Sequence, residues 1–499
     1  MGLYCGGFAG MYSETALNIA LPQLSLAFGV DVSVTQWLVV GYMLVIGVVL
    51  PLAGLLMKWF SARKLTLFAL GAFLLGAIVS AAAPSFAVAF VGRAMQGIGT
   101  GLVLPITFAM VFEVFPLHKV GAAMGASALV VMFAPAIGPT LAGALVGAGS
   151  WRLVFASFVV MALVGIVFAW KFEVNPFKLT KPAIDAPSVA LSVVGFGGVV
   201  FGAGMASSYG WTSPIVLGAL VAGIACLALY ARRQLFMEVP IIDVRIFSHQ
   251  GFRVGAVCMM VNFGITLSAM YVLPQFYQSG MLLAVALTGV VMLPGGVVNA
   301  LVSMISGRIY DRIGARGPAI CGFGLSIVGA AALLFVTPES SLVYVVACHV
   351  TMMLGVPLAM SPCQTHALSS LPRELSADGS TALNTMQQVL GAVCTAVATS
   401  LLTAGQASYV AAGGADATLA FTQGSHWGFA FALALAVVGF ACALCIKVKK
   451  RVNVGTGEVA AANAADLSAA RAAAKASAAG NAGSDGASPR DVAKSGARA

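Results

Sequence analysis

Apolar stretches of roughly 20 residues recur along the chain to about residue 447, each broken by a few Gly, Pro or charged positions, and that length is what a helix needs to cross about 30 Å of hydrocarbon. Runs such as Leu65 to Ala83 and Ile215 to Tyr230 are apolar on every face, whereas the strands of a membrane barrel would alternate over about 10 positions. The pattern predicts about fourteen spanning helices, near residues 2–22, 36–57, 65–83, 86–110, 121–147, 152–170, 188–206, 213–231, 252–274, 283–306, 318–336, 342–366, 380–403 and 427–446. The first has no Lys or Arg before it and runs straight into further spans, unlike a secretory signal. Between spans, the polar and apolar mixture from Glu238 to Arg253 suits a short helix lying on the inner membrane surface. After Arg451 the composition turns to Ala, Gly, Ser and Asp with little to bury, which predicts a disordered tail.

Charge placement sets the topology. The chain is 60% hydrophobic and 8% charged with a net charge of +10, against about 25% charged residues in a soluble domain. With a cytoplasmic N-terminus, nineteen Lys and Arg fall in inner connections and only Arg152 in an outer one, the positive-inside bias expected when both termini are cytoplasmic. The basic charge is then topogenic and faces anionic lipid, which argues against a nucleic-acid partner. Nine cysteines lie mostly singly inside spans, and the Cys442 and Cys445 pair falls within the last one, where packing explains it. Walker, HExxH and GxSxG patterns are missing from the sequence. The expectation is therefore no enzyme, no ATP, no cofactor or metal, and no obligate protein partner.

Two segments repeat. Gly54, Lys58, Ser61 and Arg63 in GLLMKWFSARK match Gly307, Asp311, Gly314 and Arg316 in GRIYDRIGAR with one offset of 253 residues, and Arg312 accompanies the second set. Two halves of one architecture are implied, with a substrate site near the midplane between them.

Few polar groups lie deep in the spans. Glu14 is an acid at that depth, one helical turn from Asn18, and reads either as a group that takes up and releases protons or as a packing carboxyl. Arg93, with Gln96 a turn on, needs a carboxylate, carbonyls or water, and is either a coupling charge or a clamp between helices. Pro135, Gly138, Pro139 and Gly143 in APAIGPTLAG predict a kinked helix able to pack closely, suited to a hinge. Asn262, Tyr271, Gln275, His349, Met353, Asn384 and Gln388 are candidate lining for a cavity that takes bulky amphipathic ligands, each also explicable as an interhelical contact.

With those residues in place, residues 10–447 resemble the fourteen-helix drug:proton antiporter branch of the major facilitator superfamily. SETALNIALP (Ser13 to Pro22) is similar to the first-helix motif LDxTIVNVALP, with Glu14 where that motif has Asp. RAMQGIG (Arg93 to Gly99) resembles the Arg motif of helix 4, APAIGPTLAG the antiporter motif GxxxGPxxGG, and GRIYDRIGAR the inner-loop gating motif. The stretch Asp378 to Ala396 is most similar to the lincomycin-resistance type. In the first gating loop, Lys58 and Ser61 stand where the family has Asp and Gly. The resemblance implies an all-α membrane protein of two six-helix bundles, 1–171 and 251–447, two inserted helices within 172–250 and a cytoplasmic tail, 448–499. It implies export of small lipophilic molecules, such as antibiotics, from a bacterial cell in exchange for protons. A native metabolite, peptide or amino acid is the alternative cargo; a membrane sensor that moves nothing is the remaining reading.

Overall fold

The computed structural model describes residues 2–114, 133–135, 137–173, 175, 179, 185–237, 240–372 and 375–446. The expected tail, the first part of the span expected at 121–147, and the basic residues Lys119, Lys178, Lys181, Arg373 and Lys447 lie outside them. Among the described residues every regular element is helical.

The helices are α1 (Gly2–Phe28), the single turn α2 (Val32–Thr35), α3 (Trp37–Trp59), α4 (Ala62–Ala81), α5 (Phe86–Val114), α6 (Phe133–Gly147) and α7 (Arg152–Phe172). There follow α8 (Ala186–Tyr209), α9 (Pro214–Phe236), α10 (Gln250–Gln275), α11 (Val285–Ile313), α12 (Arg316–Leu333), α13 (Leu342–Ser369), α14 (Ser376–Ala411) and α15 (Ala417–Leu444). Among the described residues twelve helices, with the turn α2 counted into α3, are long and apolar enough to cross a membrane. The other two of the expected fourteen are α1, made more polar by Ser13, Glu14 and Asn18, and α6, of which only the later part is described.

Apolar surface all round each helix leaves packing to be decided by small residues, which let backbones approach. In the first group, α1, α3, α4, α5 and α7 pack together, and α6 joins them where Gly138 leaves room only for the side chain of Thr15. In the second group α10 to α15 pack together, while α8 packs on α9 and also on α3 and α14, one helix from each group. This is the arrangement of two six-helix bundles with an inserted pair.

One expectation is corrected at the linker. No separate surface helix forms between α9 and α10 among the described residues; Val244–Ser248 makes a single 3-10 turn and α10 starts at Gln250. The Asp243 side chain accepts from the Arg245 amide at 2.9 Å and starts that turn, Ile246 is fully buried, and Phe247 sets its ring against Phe252 of α10. Ile242 and Ile246, the buried apolar residues of this segment, thus face protein rather than lipid.

The two repeated segments differ in backbone. Gly314 closes α11 with φ +78°, a left-handed conformation that favours glycine. Its counterpart Ser61 has φ −67° and ψ 145°, and the start of α4 is pinned from α7 instead. There Asn175 Oδ1 accepts from the Ala62 amide at 2.8 Å, Glu173 Oε1 from Thr66 Oγ1 at 2.6 Å, and the Trp170 carbonyl from Arg63.

Candidate functional site

A cavity of about 460 Å³ lies between the two groups of helices. Helical spacing builds its wall: α13 contributes His349, Met353, Val356, Pro357, Met360, Ser361 and Gln364, a stripe at steps of three and four. From α11 come Met292, Gly296, Asn299, Ser303, Met304 and Gly307 on one stripe, and from α10 Phe263, Thr266, Leu267 and Met270. Met11, Glu14 and Thr15 of α1, Pro135 and Pro139 of α6, and Gln387 of α14 complete it. Six methionines thus face the space, soft and unbranched groups that adapt to ligands of differing shape. Asn299 Nδ2 donates to the sulfur of Met353 at 3.6 Å.

Glu14 is the one acidic residue in this lining. It is 1% exposed, and its Oε2 has no hydrogen-bond partner. Gln388 of α14 reaches the carboxyl from the other helical group. Such an unsatisfied oxygen at the edge of a cavity is costly unless a proton, water or a ligand donor meets it.

Arg93 is fully buried beside it. Its Nη1 donates to Ser13 Oγ and to Gln96 Oε1, each at 2.5 Å, and its Nε to the Leu38 carbonyl at 2.9 Å. The guanidinium lies over the Tyr42 ring, 3.9 Å from its centroid, and the Tyr42 hydroxyl in turn donates to the Gly10 carbonyl at 2.8 Å. Among the described residues the ion pairs within 4.0 Å are Arg233 with Asp185 and Arg245 with Asp243, so carbonyls, hydroxyls and a ring hold Arg93 in place of a carboxylate. It joins α1, α3 and α5, and fixes Ser13, the residue before Glu14.

The other expected lining residues separate into two sets. His349 and Met353 face the cavity, and His349 sits on Gly295 with its Nδ1 unpartnered. Asn18, Asn262 and Gln388 are buried with orphaned amide atoms but do not line the cavity, and Gln96 is held by Arg93. Gln275 donates to the Tyr271 carbonyl at 3.2 Å, and Asn384 to the Ser380 carbonyl at 3.0 Å. Of the hinge candidates, Pro135 and Pro139 line the cavity; Gly143 lets α6 meet α11, where an added Cβ would stand 2.8 Å from the Gly289 Cα. Gly307 lines it too, while Asp311, Arg312 and Arg316 are exposed beyond the end of that stripe and Gly314 closes the helix. Met11, Met270, Met292, Asn299 and Gln364 line the cavity beyond the residues expected from sequence. The signal that could have found the α11 set is the run of small or polar residues at 296, 299, 303 and 307, one helical face of an otherwise apolar span.

The cavity is closed at one end. Away from the face where α1 begins, Gln23 Nε2 donates to Gln278 Oε1 at 3.1 Å, Gln278 to the Ile19 carbonyl at 3.2 Å, and Thr140 to the Gly289 carbonyl at 2.8 Å, all between the two groups. The lining instead continues through Ser303, Gly307, Ser361 and Gln364 toward the face where α1 begins, called here the near face.

The Major Facilitator Superfamily model matches twice, over residues 3–196 and 188–396. A lincomycin resistance protein, LmrB, of Listeria monocytogenes is 39% identical over 404 residues, covering 81% of this chain and 86% of that protein. The protein of the same name from Bacillus subtilis is 39% identical over 412 residues, covering 82% and 86%. Among solved structures, the partially occluded inward-open xylose transporter XylE from E. coli has a TM-score of 0.58 at 13% identity, covering 88% of this chain and 95% of that one. An auto-inhibited POT family peptide transporter reaches 0.65 at 14% identity, covering 91% and 98%.

Proposed function

Because the chain belongs to the major facilitator superfamily, we propose that it is a proton-coupled exporter of small amphipathic or lipophilic compounds, among them lincosamide-type antibiotics, in a bacterial cell membrane. The observation that carries this reading is Glu14: one buried carboxyl, with one oxygen unpartnered, and the one acid among a lining of apolar residues, neutral polar groups and His349. The two relatives named for lincomycin resistance support the cargo class. With both termini cytoplasmic, the near face is cytoplasmic and the structure is the inward-facing state. A molecule enters from that side and settles against the methionines. The halves, residues 1–171 and 251–447, then rock so that the far contacts of Gln23, Gln278 and Thr140 part. A proton arriving from outside neutralises Glu14, and its release to the cytoplasm resets the cycle. Arg93 holds the Glu14 segment of α1 in register throughout.

Uptake into inverted vesicles with an imposed acidic interior tests this. The parent protein should accumulate drug against its gradient. Glu14→Gln keeps size and hydrogen bonding but cannot ionise, and should lose uphill accumulation at equal protein level, whereas Glu14→Asp should retain much of it. Robust gradient-driven transport by Glu14→Gln would remove Glu14 from the coupling step.

A further inference from the structure

Gly295 of α11 leaves a gap that the ring of His349 on α13 fills. A Cβ at residue 295 would collide with Cε1 of that ring and stand 2.6 Å from Nδ1 and 2.8 Å from Nε2, so the imidazole meets α11 edge on. Gly295 lies six residues along α11 from Gly289, whose carbonyl accepts from Thr140 between the two groups. The ring thus stands at the far end of the cavity wall, while Ser361 and Gln364, about three to four turns on along α13, stand at the near end.

His349 is 2% exposed and belongs to the lining. Its Nδ1 is enclosed and has no hydrogen-bond partner, which leaves Nε2 as the nitrogen that a molecule in the cavity can reach. Met353, one turn along α13, and Met292, one turn back along α11, flank the ring with soft apolar surface.

The enclosure of Nδ1 selects the tautomer. A neutral imidazole carries a proton on one nitrogen and a lone pair on the other. A proton on Nδ1 would bury an N–H without an acceptor, the rarer kind of orphan in folded proteins, so the lone pair belongs there and the proton on Nε2. The far end of the cavity then offers one N–H donor between two methionines.

We propose that His349 is a specificity-determining residue: its Nε2–H favours cargo that carries a carbonyl, hydroxyl or ether oxygen at the end lying deepest in the cavity. This deepens the exporter reading above and rests on it. Lipophilic molecules without such an oxygen still fit among the methionines, but they leave the donor unmet, which costs affinity. The competing account is packing alone, in which the ring does no more than fill the gap beside Gly295.

Equilibrium binding to the purified protein in detergent separates the two accounts. The probes are lincomycin, which carries an amide carbonyl and hydroxyl groups, and tetraphenylphosphonium, a lipophilic cation with no acceptor. His349→Leu should raise the ratio of the lincomycin Kd to the tetraphenylphosphonium Kd about tenfold, the upper end for one neutral hydrogen bond. The amide of His349→Gln reaches to the place of Nε2 and should hold that ratio within about threefold of the parent's, whereas the amide of His349→Asn reaches only to the place of Nδ1 and should fail as His349→Leu does. Gly295→Ala displaces the ring and should raise the ratio as well. Binding of tetraphenylphosphonium by each variant shows that it is folded. A ratio that stays at the parent's value in His349→Leu, or a glutamine no better than asparagine, would overturn the assignment. A parent protein that binds neither probe would instead overturn the cargo reading on which the assignment rests.

Discussion

Glu14 and Arg93 stand out because a charge among so many apolar neighbours is expensive. That Arg93 would be held by Ser13, Gln96, the Leu38 carbonyl and the Tyr42 ring depends on how α1, α3 and α5 are brought together, and no spacing along the chain encodes it. The geometry favours the clamp reading of Arg93, and a prediction follows from its shape. A lysine keeps the charge but cannot span a carbonyl on α3, a hydroxyl on α1 and an amide on α5 at once. Arg93→Lys should therefore cost about 2–3 kcal/mol, seen as a lower melting temperature of the purified protein in detergent. An unchanged melting temperature would mean that the network contributes little. Met353 and His349 were legible as candidates. Asn18 and Asn262 were equally plausible from sequence, yet their helices turn them away from the cavity.

At the scale of elements, the inserted pair α8 and α9 shows how small residues replace the hydrophobic effect in lipid, where apolar surface gains nothing by hiding from its surroundings. A Cβ on Gly198 would stand 3.0 Å from the Cα of Gly223, so Gly198→Val should push the helices apart and destabilise the pair by about 1–3 kcal/mol. Thermal unfolding of the purified variant checks this, and a stability equal to the parent's would count against close packing there. The start of α8 is tied to the end of α9 by Arg233, which donates to Asp185 through Nη2 at 2.7 Å and Nε at 2.8 Å. These bonds pull the Asp185 carboxyl down to about 2, below the roughly 3.9 of an unfolded chain. A depressed acid stabilises the fold above its unfolded value, so the contribution is complete above about pH 4 and fades as pH falls through about 2. The difference in melting temperature between parent and Asp185→Asn should accordingly be flat above about pH 5 and shrink toward pH 2. It should be small throughout, since Arg233 is exposed to water. The single 3-10 turn at Val244–Ser248 carries the opposite lesson: the amphipathic pattern was real, but a protein surface took the apolar side where lipid had been expected.

For the whole molecule, the nineteen-to-one distribution of Lys and Arg predicts both ends in the cytoplasm. On a background lacking native cysteines, thiols introduced at Gly210 or Asp416 should react with an impermeant reagent added to intact cells, and one at Ser248 should not; the reverse pattern would invert the membrane orientation.

Features that depend on one helix at a time are legible in the sequence alone. The helical spans follow from apolar runs, the two-half architecture from a repeat with one offset, and the suspect charges from their cost in hydrocarbon; the charges between spans and the Pro and Gly of α6 give the expected orientation and hinge. The tertiary structure decided everything that needs two helices at once. It determined which stripe of α11 and α13 faces the cavity, which hydrogen bonds join the two groups away from the near face, and what satisfies Arg93. The reason is physical: helices apolar on every side have no preferred face toward lipid, so their rotation and pairing come from close fits of small side chains and from scattered hydrogen bonds, contacts between residues distant in sequence.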